Sequence, residues 1–148
     1  GGGIGRAVVA ALKQRKPDLP LTALGTNAIA TTAMLKAGAD KGATGESAIR
    51  YQCRDADIIV GVIGILHANA MLGEISPEIA AAVSASEAEK VLIPLERCGL
   101  HVVGVTPQTM EEKVAQAAAT VARLAEGRAP GILAGVGLKS LELGIAQL

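Results

Sequence analysis

Gly1-Gly2-Gly3-Ile4-Gly5 runs without a break into Arg6-Ala7-Val8-Val9-Ala10-Ala11-Leu12, and this passage from glycines to an apolar stripe decides the reading of the fold. Ile4, Val8 and Leu12, with Ala7 and Ala11 beside them, fall on one helical face, while Arg6, Lys13 and Gln14 lie off it. Glycines opening such a helix let the backbone approach a phosphate, because no Cβ stands in the way and the helix N-terminus aims unpaired N–H groups at it. Gly1, Gly2, Gly3 and Gly5 are therefore candidate phosphate-binding residues, with Arg6 adding charge in the first helical turn. The structural alternative is a tight strand-to-helix turn with no ligand. The dinucleotide pattern G-x-G-x-x-G is met only in its first half: its third glycine falls on Arg6, or on Val8 if counting starts at Gly3. Such a loop belongs after a strand, so the first strand of the sheet is expected to be missing from this chain.

Downstream, apolar runs alternate with helical patterns. Lys13-Gln14-Arg15-Lys16 before Pro17 reads as a basic last turn, and residues 19–25 as a short strand ending at Thr26 and Asn27. Asn27 suits the N-cap of a helix from Ala28 to Ala37, stopped by Gly38. Residues 39–46 read as a small-residue turn, followed by a short helix capped by Thr44 or Ser47. Asp57 to Gly64 is the clearest strand, continuous and β-branched as in a parallel sheet covered on both faces. An irregular connection holding His67, Asn69 and Glu74 leads to Ser76-Pro77, an N-cap and N1 pair. Val91–Leu95 and His101–Val105 are further apolar runs, too close for a helical crossover; they are expected to pair antiparallel, with Pro94 marking an edge. Thr109-Met110-Glu111-Glu112 has capping-box spacing and opens a long helix to Glu126.

This order predicts an α/β fold: a three-layer, Rossmann-like, mostly parallel doubly wound sheet. Residues 1–127 form the nucleotide-binding domain, and 128–148 a tail in which Gly131–Gly137 is strand-like. Ligands of such sheets sit outside the carboxyl ends of the strands at the topological switch point, which draws together the loops at 1–5, 25–27 and 61–69.

Composition narrows the partners. The 148 residues carry fourteen basic and fourteen acidic side chains, and Tyr51 is the single aromatic. A neutral chain without stacking side chains lacks the footprint of a nucleic-acid binder. Its long uncharged runs, residues 19–35 and 58–73, are both shorter than the about 20 residues of a membrane span. Cys53 and Cys98 are too few for a disulfide framework and suit a reducing cytoplasm. The expected partner is a small phosphorylated ligand; a homo-oligomer is a possible assembly.

Several segments together, GGGIGRAVVAAL, ALGTNAIATTAMLKAGADKGATGE, DADIIVGVIGI, MLGEISP and KVLIPL, resemble a small bacterial domain-of-unknown-function family of Rossmann-like architecture. The similarity covers about residues 1 to 105, and GTNAIAT and GATGE are its more specific parts. It implies the fold and a strand ahead of the glycine run, but no reaction.

NAD or NADP is the expected cofactor, although the sequence departs from both patterns. NAD-binding domains carry an acid at the end of the second strand to hold the ribose diol, and NADP-binding ones an Arg nearby. Gly25-Thr26-Asn27 offers neither, so Asn27 either bonds the sugar or base or simply caps its helix. Gly3-Ile4-Gly5 is also similar to the end of the short-chain dehydrogenase loop, but Tyr51 is followed four residues later by Asp55 where that family has Lys. His67 and Glu74 are the candidate general acid/base pair, set against a solvated loop histidine. Thr26 and Asn27 would face the sugar or base, Gly64 and Asn69 the far end of the ligand, and Thr44 and Gly45 would close on the phosphates through backbone N–H groups. Cys53, His67, Cys98 and His101 are scattered over different elements and do not make a zinc motif. With no acid–base pair at fixed spacing, a nucleotide-binding module is favoured over the alternative, an NAD(P)-dependent oxidoreductase or other nucleotide-using enzyme with chemistry from the His67–Glu74 loop.

Overall fold

A computed structural model describes residues 3–96, 99–126 and 140–144. Gly1, Gly2, Cys98 and the Gly131–Gly137 run lie outside the described residues. Helix α1 (Ile4–Arg15) is followed by β1 (Leu21–Gly25), α2 (Ala28–Lys36), β2 (Lys41–Thr44), α3 (Glu46–Cys53) and β3 (Ile58–Val62). A 3-10 turn (Ile63–Leu66) leads through a loop to α4 (Pro77–Ala85), β4 (Glu89–Ile93), α5 (Met110–Glu126) and β5 (Ser140–Gly144). The fold is the expected Rossmann-like α/β architecture: one sheet in the order β2-β1-β5-β3-β4, with every neighbouring pair parallel.

The sheet is covered on both faces. On one, Val8, Val9 and Leu12 of α1 and Val114, Ala118 and Val121 of α5 pack on Leu21, Ala23, Ile58, Val60, Val91 and Ile93. On the other, Ile49 and Cys53 of α3 and Ile79 and Val83 of α4 pack on Leu24, Ile59 and Val62. Strand β3, buried at all five positions, contributes Ile58 and Val60 to the first core and Ile59 and Val62 to the second. Ile4 touches both cores, which places the first turn of α1 at an edge of the sheet. Because α1 runs back to the start of β1, that edge is the one where the parallel strands end.

Three elements differ from the sequence reading. Residues 41–44 are not a turn but β2, an edge strand paired with β1 from Thr22↔Lys41 to Gly25↔Thr44; it lacks an apolar signal because it is largely exposed. Val91–Leu95 and His101–Val105 do not pair: β4 runs parallel to β3, with α4 as the crossover, while Val103 is 98% exposed and outside any strand. β4 is an edge strand, as Pro94 suggested, and the Pro94 carbonyl accepts from Lys113 Nζ. Between β1 and β3, the place a doubly wound sheet gives to the strand leading into its glycine loop, lies β5, in register from Leu21↔Ser140 to Gly25↔Gly144.

Close approach of α2 to the sheet depends on two glycines. A Cβ at Gly25 would sit 2.3 Å from Thr31 Oγ1 and 2.8 Å from the Thr31 backbone nitrogen, and one at Gly42 would sit 2.9 Å from Leu35 Cδ1 and Thr31 Cγ2. At the opposite edge, Asp40 accepts from Lys13 Nζ at 2.6 Å and from the Leu21 N–H at 2.8 Å, tying α1 to the start of β1. The hydrogen bond from Lys13 holds the Asp40 carboxyl below its ordinary pKa, against a partial desolvation and with help from the Leu21 N–H. Because Gly25 faces backbone as well as a hydroxyl, Gly25→Ala should destabilise the protein by about 1–3 kcal/mol through overpacking. Urea unfolding checks this, and an unchanged midpoint would show that α2 sits less tightly on β1 than described.

Candidate functional site

At the carboxyl edge of the sheet the segments GTNAIAT, GATGE and MLGEISP meet, and polar side chains join them. Asn27 is the N-cap of α2: its Oδ1 accepts from the Ala30 N–H at 2.9 Å, as the sequence suggested. Its amide has a second task. Nδ2 donates to Glu74 Oε1 at 3.1 Å, and Thr26 Oγ1 reaches the same oxygen at 3.4 Å. A carboxylate from the loop after β3 is thus held at the end of β1, across the end of β5.

Thr31, only 6% exposed, anchors α2 to β2: its hydroxyl lies 2.8 Å from Thr44 Oγ1 and within bonding distance of the Asn27 and Ala43 carbonyls. Buried hydroxyls need such partners. Gly45, at φ 98°, turns the chain into α3, and its N–H donates to the Gly25 carbonyl at 2.9 Å. That N–H joins α3 to the end of β1, and the Thr44 hydroxyl lies against Thr31. Neither Thr44 nor Ser47 caps α3, whose N-cap is Gly45. Ser76 caps α4, accepting from Ile79 N–H at 3.2 Å, and donates to the Glu46 carboxylate, which closes the ring of contacts between α3 and α4.

The loop between the 3-10 turn and α4 is folded tightly. Asn69, Met71 and Leu72 have φ of 66°, 58° and 57°, a left-handed conformation that costs about 1–2 kcal/mol for an ordinary L-residue. Hydrogen bonds hold it: Asn69 N–H to the Ile75 carbonyl at 2.6 Å, Gly73 N–H to Asn69 at 3.1 Å and Glu74 N–H to Met71 at 3.1 Å. Ala70 and Ile75 are buried beneath, and Met71 Cε lies 3.1 Å from where a Cβ on Gly64 would stand. Leu72, at the tip, is fully exposed. Strain of this kind persists where the surroundings over-determine it.

α1 differs from its neighbours. Asn27 caps α2, Ser76 caps α4, the Thr109 hydroxyl caps α5, and Glu46 places an acid in the first turn of α3. α1 starts at Gly3 with no side-chain cap and no acid in its first turn, and Arg6 there is exposed. Gly5, in that first turn, is buried. His67 is half-buried in the same edge region, its N–H donating to the Gly64 carbonyl at 3.0 Å. Cys53 lies buried between α3 and the sheet, where desolvation raises its thiol pKa to about 11, so it carries no thiolate near neutrality.

A family model described as Domain of unknown function (DUF3842) matches residues 1–126. The chain belongs to that family. No curated protein and no solved structure matches it. The DUF3842 match extends past the segments that carry the resemblance and takes in α5, while β5 lies beyond it. Within it, the segments GTNAIAT, GATGE and MLGEISP are those whose side chains cross-link the carboxyl edge. Thr31 carries no mark in the sequence beyond a hydroxyl inside an apolar helix, and the Asn27–Glu74 contact joins positions 47 residues apart.

Asn27→Ala should lose the cap, worth about 1 kcal/mol, and release the Glu74 loop as well. Amide exchange at Asn69 and Ile75 should quicken more than at residues of β3. Unchanged exchange there would show that the loop does not depend on Asn27.

Proposed function

We propose that this DUF3842 protein binds a nucleotide or dinucleotide at the carboxyl edge of its sheet, as a binding module for a small phosphorylated ligand. The observation that carries this reading is the start of α1. It is the α-helix among the described residues with neither a side-chain cap nor an acid in its first turn, and it opens at the edge where doubly wound sheets hold their ligands. N–H groups left without a partner in a first turn attract an anion, and Arg6 adds positive charge beside them.

The phosphate belongs at Gly3 to Arg6, with Gly1 and Gly2 ahead of it. The rest of the ligand runs toward Thr26 and Asn27, and Gly64, His67 and Asn69 border the far end. NAD or NADP is the dinucleotide we propose for this site. Glu74 is engaged by Asn27 and Thr26 at the end of β1, which favours binding over a His67–Glu74 acid–base pair. The buried, free Cys53 thiol suits a reducing compartment, and we assign the cytoplasm on that ground.

Gly3→Val places a branched side chain where the phosphate must approach. Titration calorimetry with ADP should give saturable binding to the parent and a loss of at least about tenfold in the variant, the effect of about 1.4 kcal/mol. Equal affinity in both proteins would contradict the assignment of α1 as the phosphate site.

A further inference from the structure

On the sheet face opposite α1, helices α3 and α4 lie side by side and run in the same direction. They are fastened at both ends. Ser76 at the start of α4 donates to the Glu46 carboxylate at the start of α3, and the Ser86 hydroxyl just after α4 donates to the Cys53 carbonyl at the end of α3 at 2.7 Å. Between the two helices runs a surface groove of about 580 Å³ whose walls differ in charge. Arg50 and Arg54 stand on the α3 wall, while Glu78 and Glu87 mark the two ends of the α4 wall, with exposed Ala81 and Ala85 between them. Arg54, Glu78 and Glu87 enter no ion pair among the described residues, and Arg50 has only Glu46, at 3.8 Å and in solvent, a pair of the weak kind. Tyr51, the single aromatic residue of the chain, is 63% exposed on the helical face that carries Arg50 and Arg54. Tyr and Arg are the side chains that most often anchor protein interfaces.

We propose that this groove is the interface between two copies of the chain, related by a twofold axis parallel to α3 and α4. Rotation about that axis lays α3 of one copy on α4 of the other, both pointing the same way. Arg50, in the second turn of α3, then meets Glu78 of the partner subunit, in the first turn of α4. Arg54, at the end of α3, meets Glu87 of the partner subunit, just past the end of α4. The symmetry repeats both contacts, as a self-complementary patch requires. Tyr51 falls against Ala81 and Ala85 of the partner subunit, whose small side chains leave room for the ring. The other face-to-face twofold, perpendicular to the helices, would set arginines on arginines and glutamates on glutamates, which costs affinity. A second copy is the occupant because the chain carries both halves of the complement; a wholly acidic or wholly basic partner would leave one wall facing like charge. The interface needs no ligand, so it stands or falls apart from the nucleotide reading.

Sedimentation velocity on the whole chain, over a range of concentrations, should show a reversible monomer–dimer equilibrium that salt weakens. Two double variants at exposed positions each invert one wall: Arg50→Glu with Arg54→Glu, and Glu78→Lys with Glu87→Lys. Each should raise the dimer dissociation constant at least about tenfold, because like charges then face one another. Mixed in equal amounts, the two variants should form a heterodimer with a dissociation constant within about threefold of the parent's, since each supplies the charge the other has lost. Tyr51 fluorescence gives a readout that depends on no variant: acrylamide should quench it less in concentrated parent protein than in dilute. A parent that stays monomeric, a dimer that neither variant weakens, a mixture that stays monomeric, or quenching that ignores dilution would each overturn the assignment.

Discussion

The first turn of α2 is pressed against the ends of β1 and β2, and most of the carboxyl edge depends on that contact. It exists because Gly25 and Gly42 have no Cβ to hold the helix off, and because the Thr31 hydroxyl, once buried, finds Thr44 and two carbonyls. Moving α2 outward would cost that hydroxyl its bonds to Thr44 and the Ala43 carbonyl and leave it only the Asn27 carbonyl of its own helix. With α2 in place, Asn27 is fixed as its cap, and the amide left over from capping reaches Glu74. A packing constraint between a helix and two strands thereby sets the position of a carboxylate from a distant loop.

The same edge explains why small and polar residues dominate these segments. Gly45 donates its N–H to Gly25, Ser76 joins α4 to α3 through Glu46, and the strained turn at Met71 and Leu72 is held by backbone bonds over buried Ala70 and Ile75. The first two attach elements to one another, and the third closes the loop on itself. α1 stands apart in this network, since its first turn is capped by no side chain.

Much of this was legible in the sequence, and the rest was not for physical reasons. The stripe of Ile4, Val8 and Leu12, the Asn27 and Ser76 caps and the capping box at Thr109 announce four helices, because helix boundaries are written locally. β3 is announced by its unbroken apolar run. β2 is silent because an exposed edge strand need not be hydrophobic. His101–Val105 misleads because β propensity without a partner strand makes no strand. β5 takes the central place through pairing with two strands far away in sequence, which no local pattern encodes. For the candidate site, Thr26, Asn27 and Glu74 stand out as polar residues at the ends of apolar runs, but the contact of Glu74 with the turn after β1 follows from topology alone. Gly45 was legible as a turn residue, yet its N–H serves the sheet.

The most direct test of a ligand site organised at this edge is an amide NMR titration of the protein with NAD+. Shift changes are expected in separated segments, at Gly3 to Arg6, at Thr26 and Asn27 and across residues 67–75, with β4 and the exposed His101–Val105 segment unaffected. Changes centred on residues 91–105 would contradict it, because the ligand would then sit on the far side of the sheet from the glycines and from Glu74.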